Sequence, residues 1–313
     1  MRDALYVLVG LVLLTYAADR FVLGAVRIAT ALRVSVVVVG ALVIGFGTSA
    51  PELLVSALAS LDGKQDIALG NIVGSNTANM LLVVGAAAAF SRLPITSQVW
   101  RREIRLMLVS VVALAVVCAD LQVTTAEAVG LLGGAVAAIG LIMFWASRDR
   151  VAADKLLAEV DGYAGETDLA RSALLTLGGL IGTLAGAQLL VVGAAGLATT
   201  IGLSEAVIGL TVVAIGTSLP ELVTATAAAR RGESELIVGN VVGSNIFNSL
   251  PVAGVAGVLD TTPLDPQFLV SLGVMIAACA LFALFARSGF QVRRREGGIL
   301  LVAFVVATAL AVW

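Results

Sequence analysis

"GTSAPELLVS", residues 47–56, sets a proline and a glutamate side by side between apolar runs, 36–46 and 53–61. A lipid-crossing helix ordinarily avoids both a residue that cannot continue its hydrogen bonds and a buried charge. The same pair recurs in "GTSLPELVTA", residues 216–225. A shift of 169 residues aligns the two without a gap, and residues 40–85 match 209–254 at 20 of 46 positions. "GNIVGSNTAN" at 70–79 falls on "GNVVGSNIFN" at 239–248. Chance similarity of apolar segments would not hold Asn, Ser, Pro and Glu in register, so the chain is a duplication.

The 313 residues are 59 % hydrophobic and 13 % charged, with a mean hydropathy of +1.05. A soluble domain carries about 25 % charge. Many apolar runs reach the roughly 20 residues that cross a bilayer. The expected fold is an all-α polytopic membrane protein. Ten spans are expected, near 4–32, 35–60, 66–90, 104–120, 124–146, 173–200, 204–229, 235–258, 267–286 and 297–312. The first apolar run lacks a cleavage site and is expected to be a retained span.

There is no histidine, which excludes histidine metal sites and Ser-His-Asp triads. Cys118 and Cys279 lie alone in apolar spans and are expected to pack. No cofactor motif or nucleophile–base pair supports an enzyme, and no basic stripe with aromatics supports nucleic-acid binding. Membrane lipid is the expected surrounding; the oligomeric state stays open, a monomer being admissible.

With the N-terminus outside, fifteen of the nineteen Lys and Arg fall in inside loops, among them Arg101, Arg102, Arg230, Arg231 and Arg293 to Arg295. Arg2 and Lys64 fall outside. This asymmetry orients the chain with both termini outside. The halves are 1–146 and 172–313, carrying motifs 40–85 and 209–254. Residues 147–171 form a charged cytoplasmic linker that admits one short amphipathic helix. Five spans per half is odd, so the second half enters from the opposite face. Inverted repeats with broken helices at the midplane are the architecture of secondary transporters working by alternating access.

Pro51 and Pro220 each free the carbonyl four residues back, on Gly47 and Gly216. An unpaired carbonyl in lipid is costly, but beside a polar cavity it is a cation ligand. Glu52 and Glu221 supply charge, and a carboxylate at membrane depth is a functional candidate by default. Helical spacing puts Thr48 and Ser49 on the face of Glu52, and Thr217 and Ser218 on that of Glu221. Ser75 and Asn79, and Ser244 and Asn248, are i,i+4 neighbours in the following spans. Carboxylate, hydroxyl, amide and carbonyl oxygens are hard ligands suited to Ca²⁺ and Na⁺. Two carboxylates balance one divalent or two monovalent ions, and shared ligands make the two occupancies exclusive.

Asn71, Asn76, Asn240 and Asn245 lie on other faces and are expected to be structural. Gly70, Gly74, Gly239 and Gly243 are expected to permit close packing or the break itself. Asp19 and Arg20 interrupt the first span, and an intrahelical or interhelical ion pair is expected there.

On the doubled "GTSAPE…GNIVGSN" and "GTSLPE…GNVVGSN" motifs, the chain resembles the sodium/calcium exchanger family within the cation/calcium antiporters. The resemblance covers essentially the whole chain. It implies ion sites around Glu52 and Glu221. It implies exchange of sodium for calcium, usually three for one and so electrogenic. Family ligands carry over onto Thr48, Ser49, Glu52, Ser75 and Asn79, onto Thr217, Ser218, Glu221, Ser244 and Asn248, and onto the carbonyls of Gly45 and Ala214. No cofactor is implied; Na⁺ and Ca²⁺ are substrates. The long first and sixth spans look like the pair that slides across the core. Two departures stand out. Some prokaryotic members carry aspartate where this chain has Asn248. The linker is too short for the regulatory region of eukaryotic plasma-membrane members, so a minimal exchanger of a prokaryotic inner membrane is implied. The alternative is a proton/calcium antiporter, whose branch typically has a GNxxE-type motif absent here. A cation channel is the reading from another class.

Overall fold

The computed structural model describes residues 2–32, 34–159, 169–200 and 214–312. In chain order the helices are α1 (Arg2–Leu32), α2 (Val36–Thr48), α3 (Ala50–Leu61), α4 (Gln65–Phe90), α5 (97–117), α6 (Thr125–Glu159), α7 (Leu169–Thr200), α8 (Ala214–Thr217), α9 (Leu219–Arg231), α10 (Ser234–Leu259), α11 (Phe268–Arg287) and α12 (Arg294–Val312). Six of them are long and apolar enough to cross a membrane, and the bent pair α2–α3 makes a seventh. The expected span 204–229 begins outside the described residues.

α4 and α10, the helices that follow the two motifs, form the centre. Their apolar stretches are 78 % buried, against 39 % for α1 and 28 % for α7. They cross antiparallel through amides. Asn76 Nδ2 donates to Ser249 Oγ at 2.9 Å, Asn79 Nδ2 to Asn245 Oδ1 at 3.0 Å, and Asn245 Nδ2 to the Asn76 carbonyl at 3.2 Å. Hydrogen bonds of this kind hold helices together where lipid offers no hydrophobic drive. Asn76 and Asn245 thus do the structural work expected of them.

α2 packs on α10 backbone to backbone, the two running parallel. A Cβ on Gly40 would lie 2.8 Å from the Leu236 carbonyl oxygen, and one on Gly45 would lie 2.8 Å from the Ser244 nitrogen. Gly239 and Gly243 face Val37 and Ala41 in the same contact. Small residues let the axes approach to this distance. Among the described residues nothing lies within 4 Å of a Cβ on the equivalent Gly70 or Gly74. α1 and α7 make a second glycine-lined pair, antiparallel. A Cβ on Gly10 would lie 2.7 Å from the Leu190 nitrogen, and one on Gly193 2.6 Å from the Asp3 carbonyl.

Three findings differ from expectation. α6 does not stop at 146 but continues to Glu159, because 147–159 is rich in Arg, Ala, Leu, Lys and Glu, all good helix formers. Of the linker, 160–168 lies outside the described residues. The chain is also not purely helical. Leu93–Pro94 pairs antiparallel with Gln291–Val292, tying the loop before α5 to the loop before α12. Near this ladder Trp100 donates its indole N–H to the Ala283 carbonyl at 3.2 Å and lies under the guanidinium groups of Arg105 and Arg287, at 4.8 and 5.3 Å. Third, wide π-helical turns interrupt several helices, at Gly40–Gly45, Asn79–Val83, Trp100–Ile104 and Asn248–Val252.

The Asp19 charge in α1 is neutralised between helices. Arg231, at the end of α9, grips Asp19 with two hydrogen bonds of 2.7 Å, while Arg20 stacks on Tyr16 at 4.7 Å. The left-handed Gly232 (φ +76°) ends α9, a conformation glycine adopts without penalty. The pair is only partly buried, so it is worth about 1 kcal/mol. Reversing either charge alone is expected to lower the melting temperature of the purified protein by about 2 °C. The exchange Asp19→Arg/Arg231→Asp is expected to restore it, as tryptophan fluorescence on heating would report.

Candidate cation site

The break expected from Pro51 is present, two residues before the proline. α2 ends at Thr48, Ser49 leaves helical geometry at φ −85°, ψ 7°, and α3 starts at Ala50. The chain turns by 42° there. Ser218 does the same between α8 and α9, at φ −88°, ψ 2°. Each proline therefore occupies the first turn of the following helix, where its missing N–H is not needed.

Glu52 and Glu221 fall in the first turns of α3 and α9, and each residue is 1 % exposed. The positive end of a helix favours a carboxylate there. Ser75 Oγ donates to Glu52 Oε1 at 3.4 Å, and Ser49 Oγ donates to Glu221 Oε1 at 3.3 Å. Ser49 thus serves the glutamate of the other half, not the one on its own sequence face. The break explains this: Ser49 is not in the helix that carries Glu52, so the i,i+3 relation does not apply.

Thr48 Oγ1 donates to the Ile44 carbonyl at 3.0 Å and lies 3.3 Å from Asn240 Oδ1. The Gly45 carbonyl accepts from the Ser49 N–H at 3.2 Å and from Ser244 Oγ at 3.1 Å. Asn79 and Asn248 each open a π turn, a local widening that re-aims a side chain and recurs at functional sites. Pro251 lies inside the second such turn; the first, with Leu82 at that place, forms without one. Thr217 closes α8 beside the break, and Ala214 opens it. Ten of the twelve expected residues are thus placed by side chain or carbonyl at the two breaks and the helices beside them. Thr217 and Ala214 are placed by backbone.

The polar accounting is uneven. Among the described residues eleven buried side-chain N and O atoms have no hydrogen-bond partner, and six belong to this set: Glu52 Oε2, Glu221 Oε2, Asn79 Oδ1, Ser218 Oγ, and Asn248 Oδ1 and Nδ2. A buried polar atom without a partner costs about 1–3 kcal/mol, more if charged. Five orphan oxygens in one region fit a hard cation. No cluster of three or more Asp, Glu, Cys or His is found among the described residues, so any ion here rests on two carboxylates and neutral oxygens.

Asn240, Thr224, Asn71 and Ser56 were not expected at the site. Thr224 follows Glu221 by three residues, the spacing that would have placed it on that face.

The sequence model of the family described as "Sodium/calcium exchanger protein" matches residues 3–146 and again 171–313. CaxA of Alkalimonas amylolytica is 40 % identical over 312 residues, 96 % of each chain. The sodium/calcium exchanger MaX1 of Methanosarcina acetivorans is 32 % identical over 337 residues, again 96 % of each. A solved structure of the sodium-calcium exchanger NCX_Mj, soaked with Na⁺ and Sr²⁺, superposes with a TM-score of 0.87 at 34 % identity, covering 98 % of both chains.

Proposed function

The chain belongs to the sodium/calcium exchanger family, and we propose that it exchanges Na⁺ for Ca²⁺ by alternating access at the site between the two broken helices. The observation that carries this is the set of buried orphan oxygens on Glu52, Asn79, Ser218, Glu221 and Asn248. Those oxygens, with the hydroxyls of Thr48, Ser49, Ser75, Thr217 and Ser244, form the ligand shell. The carbonyls of Gly45 and Ala214 complete it, the former once Ser244 turns its hydroxyl away. Two carboxylates hold one Ca²⁺ or the charge-equivalent Na⁺, so one ion must leave before the other enters. A third Na⁺ on the neutral oxygens makes the cycle electrogenic.

The two halves act as inverted five-span repeats, giving ten spans with both termini outside a prokaryotic inner membrane. Asn76 and Asn245 are repeat equivalents, and they touch each other. Equivalent residues meet only beside a two-fold axis. The antiparallel crossing of α4 and α10 supports the inverted reading, in which such an axis lies in the membrane plane.

Proteoliposomes loaded with Na⁺ are expected to take up radiolabelled Ca²⁺ when diluted into Na⁺-free medium, and valinomycin with K⁺ is expected to change the rate. An equal K⁺ gradient should drive nothing. Uptake under an outward proton gradient alone would assign the protein to proton coupling instead.

A further inference from the structure

Among the described residues the Thr48 hydroxyl is bonded only to acceptors. It faces the Ile44 carbonyl at 3.0 Å, the Gly45 carbonyl at 3.5 Å and Asn240 Oδ1 at 3.3 Å. Among the described residues no N–H is bonded to its oxygen, which leaves it available to a cation. That depends on which end of the Asn240 amide points at it, and amide orientation is assigned from the surrounding network.

The carbonyl distances decide which end that is: the two around Thr224, 2.7 and 3.0 Å, are shorter than the two around Thr48, 3.0 and 3.5 Å. Thr224 has a single hydroxyl proton, directed at the Pro220 carbonyl at 2.7 Å and the Glu221 carbonyl at 3.0 Å. Its oxygen can therefore only accept, and it does so from Asn240 Nδ2 at 3.2 Å. With the NH₂ held there, the amide oxygen faces Thr48 and accepts its proton at 3.3 Å. Ile44, Ala225, Ala228, Leu236 and Ile237 wall in the pair and leave no room for water to substitute. Asn240 and Thr224 are each 1 % exposed.

We propose that Thr224 and Asn240 are positioning residues that keep the Thr48 oxygen free for the transported cation by locking the Asn240 amide with its oxygen inward. Turned over, the amide would donate into Thr48 and set a partial positive charge where the ion binds.

A second arrangement supports this. Asn71, the repeat equivalent of Asn240, donates Nδ2 to Ser56 Oγ at 3.0 Å, and Ser56 donates to the Ala68 carbonyl at 2.9 Å. The lock has the same logic, but its hydroxyl comes from a different repeat position: Ser56 corresponds to Ala225, and Thr224 to Val55. Two non-equivalent hydroxyls fix equivalent amides the same way.

The inference rests on Thr48 being a ligand, as proposed above. The test is the half-saturating Ca²⁺ concentration for Na⁺-driven uptake, measured beside equilibrium Ca²⁺ binding to the monodisperse protein in detergent. Thr224→Val keeps the shape and removes the lock. It is expected to raise the half-saturating concentration about tenfold with maximal rate preserved, while Thr224→Ser stays near wild type. In an Asn240→Asp background no NH₂ exists to turn inward, so Thr224→Val is expected to cost nothing further. Unchanged half-saturation and binding in Thr224→Val would overturn the inference, as would an equal loss in both backgrounds; both leave the exchanger reading intact. Absence of uptake and of binding in the wild type would instead overturn that reading, and this one with it.

Discussion

Glu52→Gln and Glu221→Gln are each expected to abolish Ca²⁺ uptake, by about a thousandfold or more, in protein that still folds. Among the described residues each carboxylate has one oxygen on a serine hydroxyl and the other without a hydrogen-bond partner. A glutamine keeps the volume but removes the charge that offsets the ion's desolvation, a matter of several kcal/mol at this depth. It also turns an N–H toward oxygens that a cation would bridge. The two losses should be equal in size, since neither glutamate has a second carboxylate to stand in for it. A thermal readout separates this from misfolding. Ca²⁺ at a hundred times its Kd should stabilise the wild type by about 2.7 kcal/mol, and both variants should lose that dependence. Without cation the variants should be at least as stable as wild type, because an uncompensated buried charge is gone. Retained uptake in either one would move the site elsewhere.

Gly45→Val is expected to be worse still for the protein itself, leaving little monodisperse material in detergent. The new Cβ would lie 2.8 Å from the Ser244 nitrogen and 2.9 Å from the Asn240 carbonyl oxygen. Both are backbone atoms that cannot rotate away. α2 would have to retreat from α10, breaking the Ser244–Gly45 and Thr48–Asn240 contacts together. The control is Gly130→Ala in α6, where no described residue lies within 4 Å of the new Cβ. There the gain in helix propensity, about 1 kcal/mol, should leave the protein as stable or more so. Size-exclusion chromatography and thermal melts of the three proteins decide it.

The doubled Pro–Glu pair was enough to place two helix breaks, because proline's missing N–H and the cost of a buried carboxylate act on the residues beside them. The long first and sixth spans were legible from apolar length, though not that glycines would zip them together. The ion pair of Asp19 was expected in kind, but Arg231, 212 residues away, was not nameable. The face assignment of Ser49 failed because the helical periodicity behind it stops at the break. Asn240 was taken for scaffold, and its contact with Thr48 crosses from one half to the other. The apolar span in α6 ends at Arg148, close to where apolar length put it, but the charged residues beyond are good helix formers, so the helix itself runs on to Glu159.

Sequence alone determined the membrane class, the duplication and the two breaks, and put forward oxygen-bearing residues as the candidate set, since these follow from composition, register and local backbone chemistry. Only the tertiary structure decided which serine serves which glutamate, which way an amide faces, and which oxygens are left without a donor. Those depend on how close α2 and α10 approach, and that distance is set by glycines packed against backbone from the opposite half of the chain.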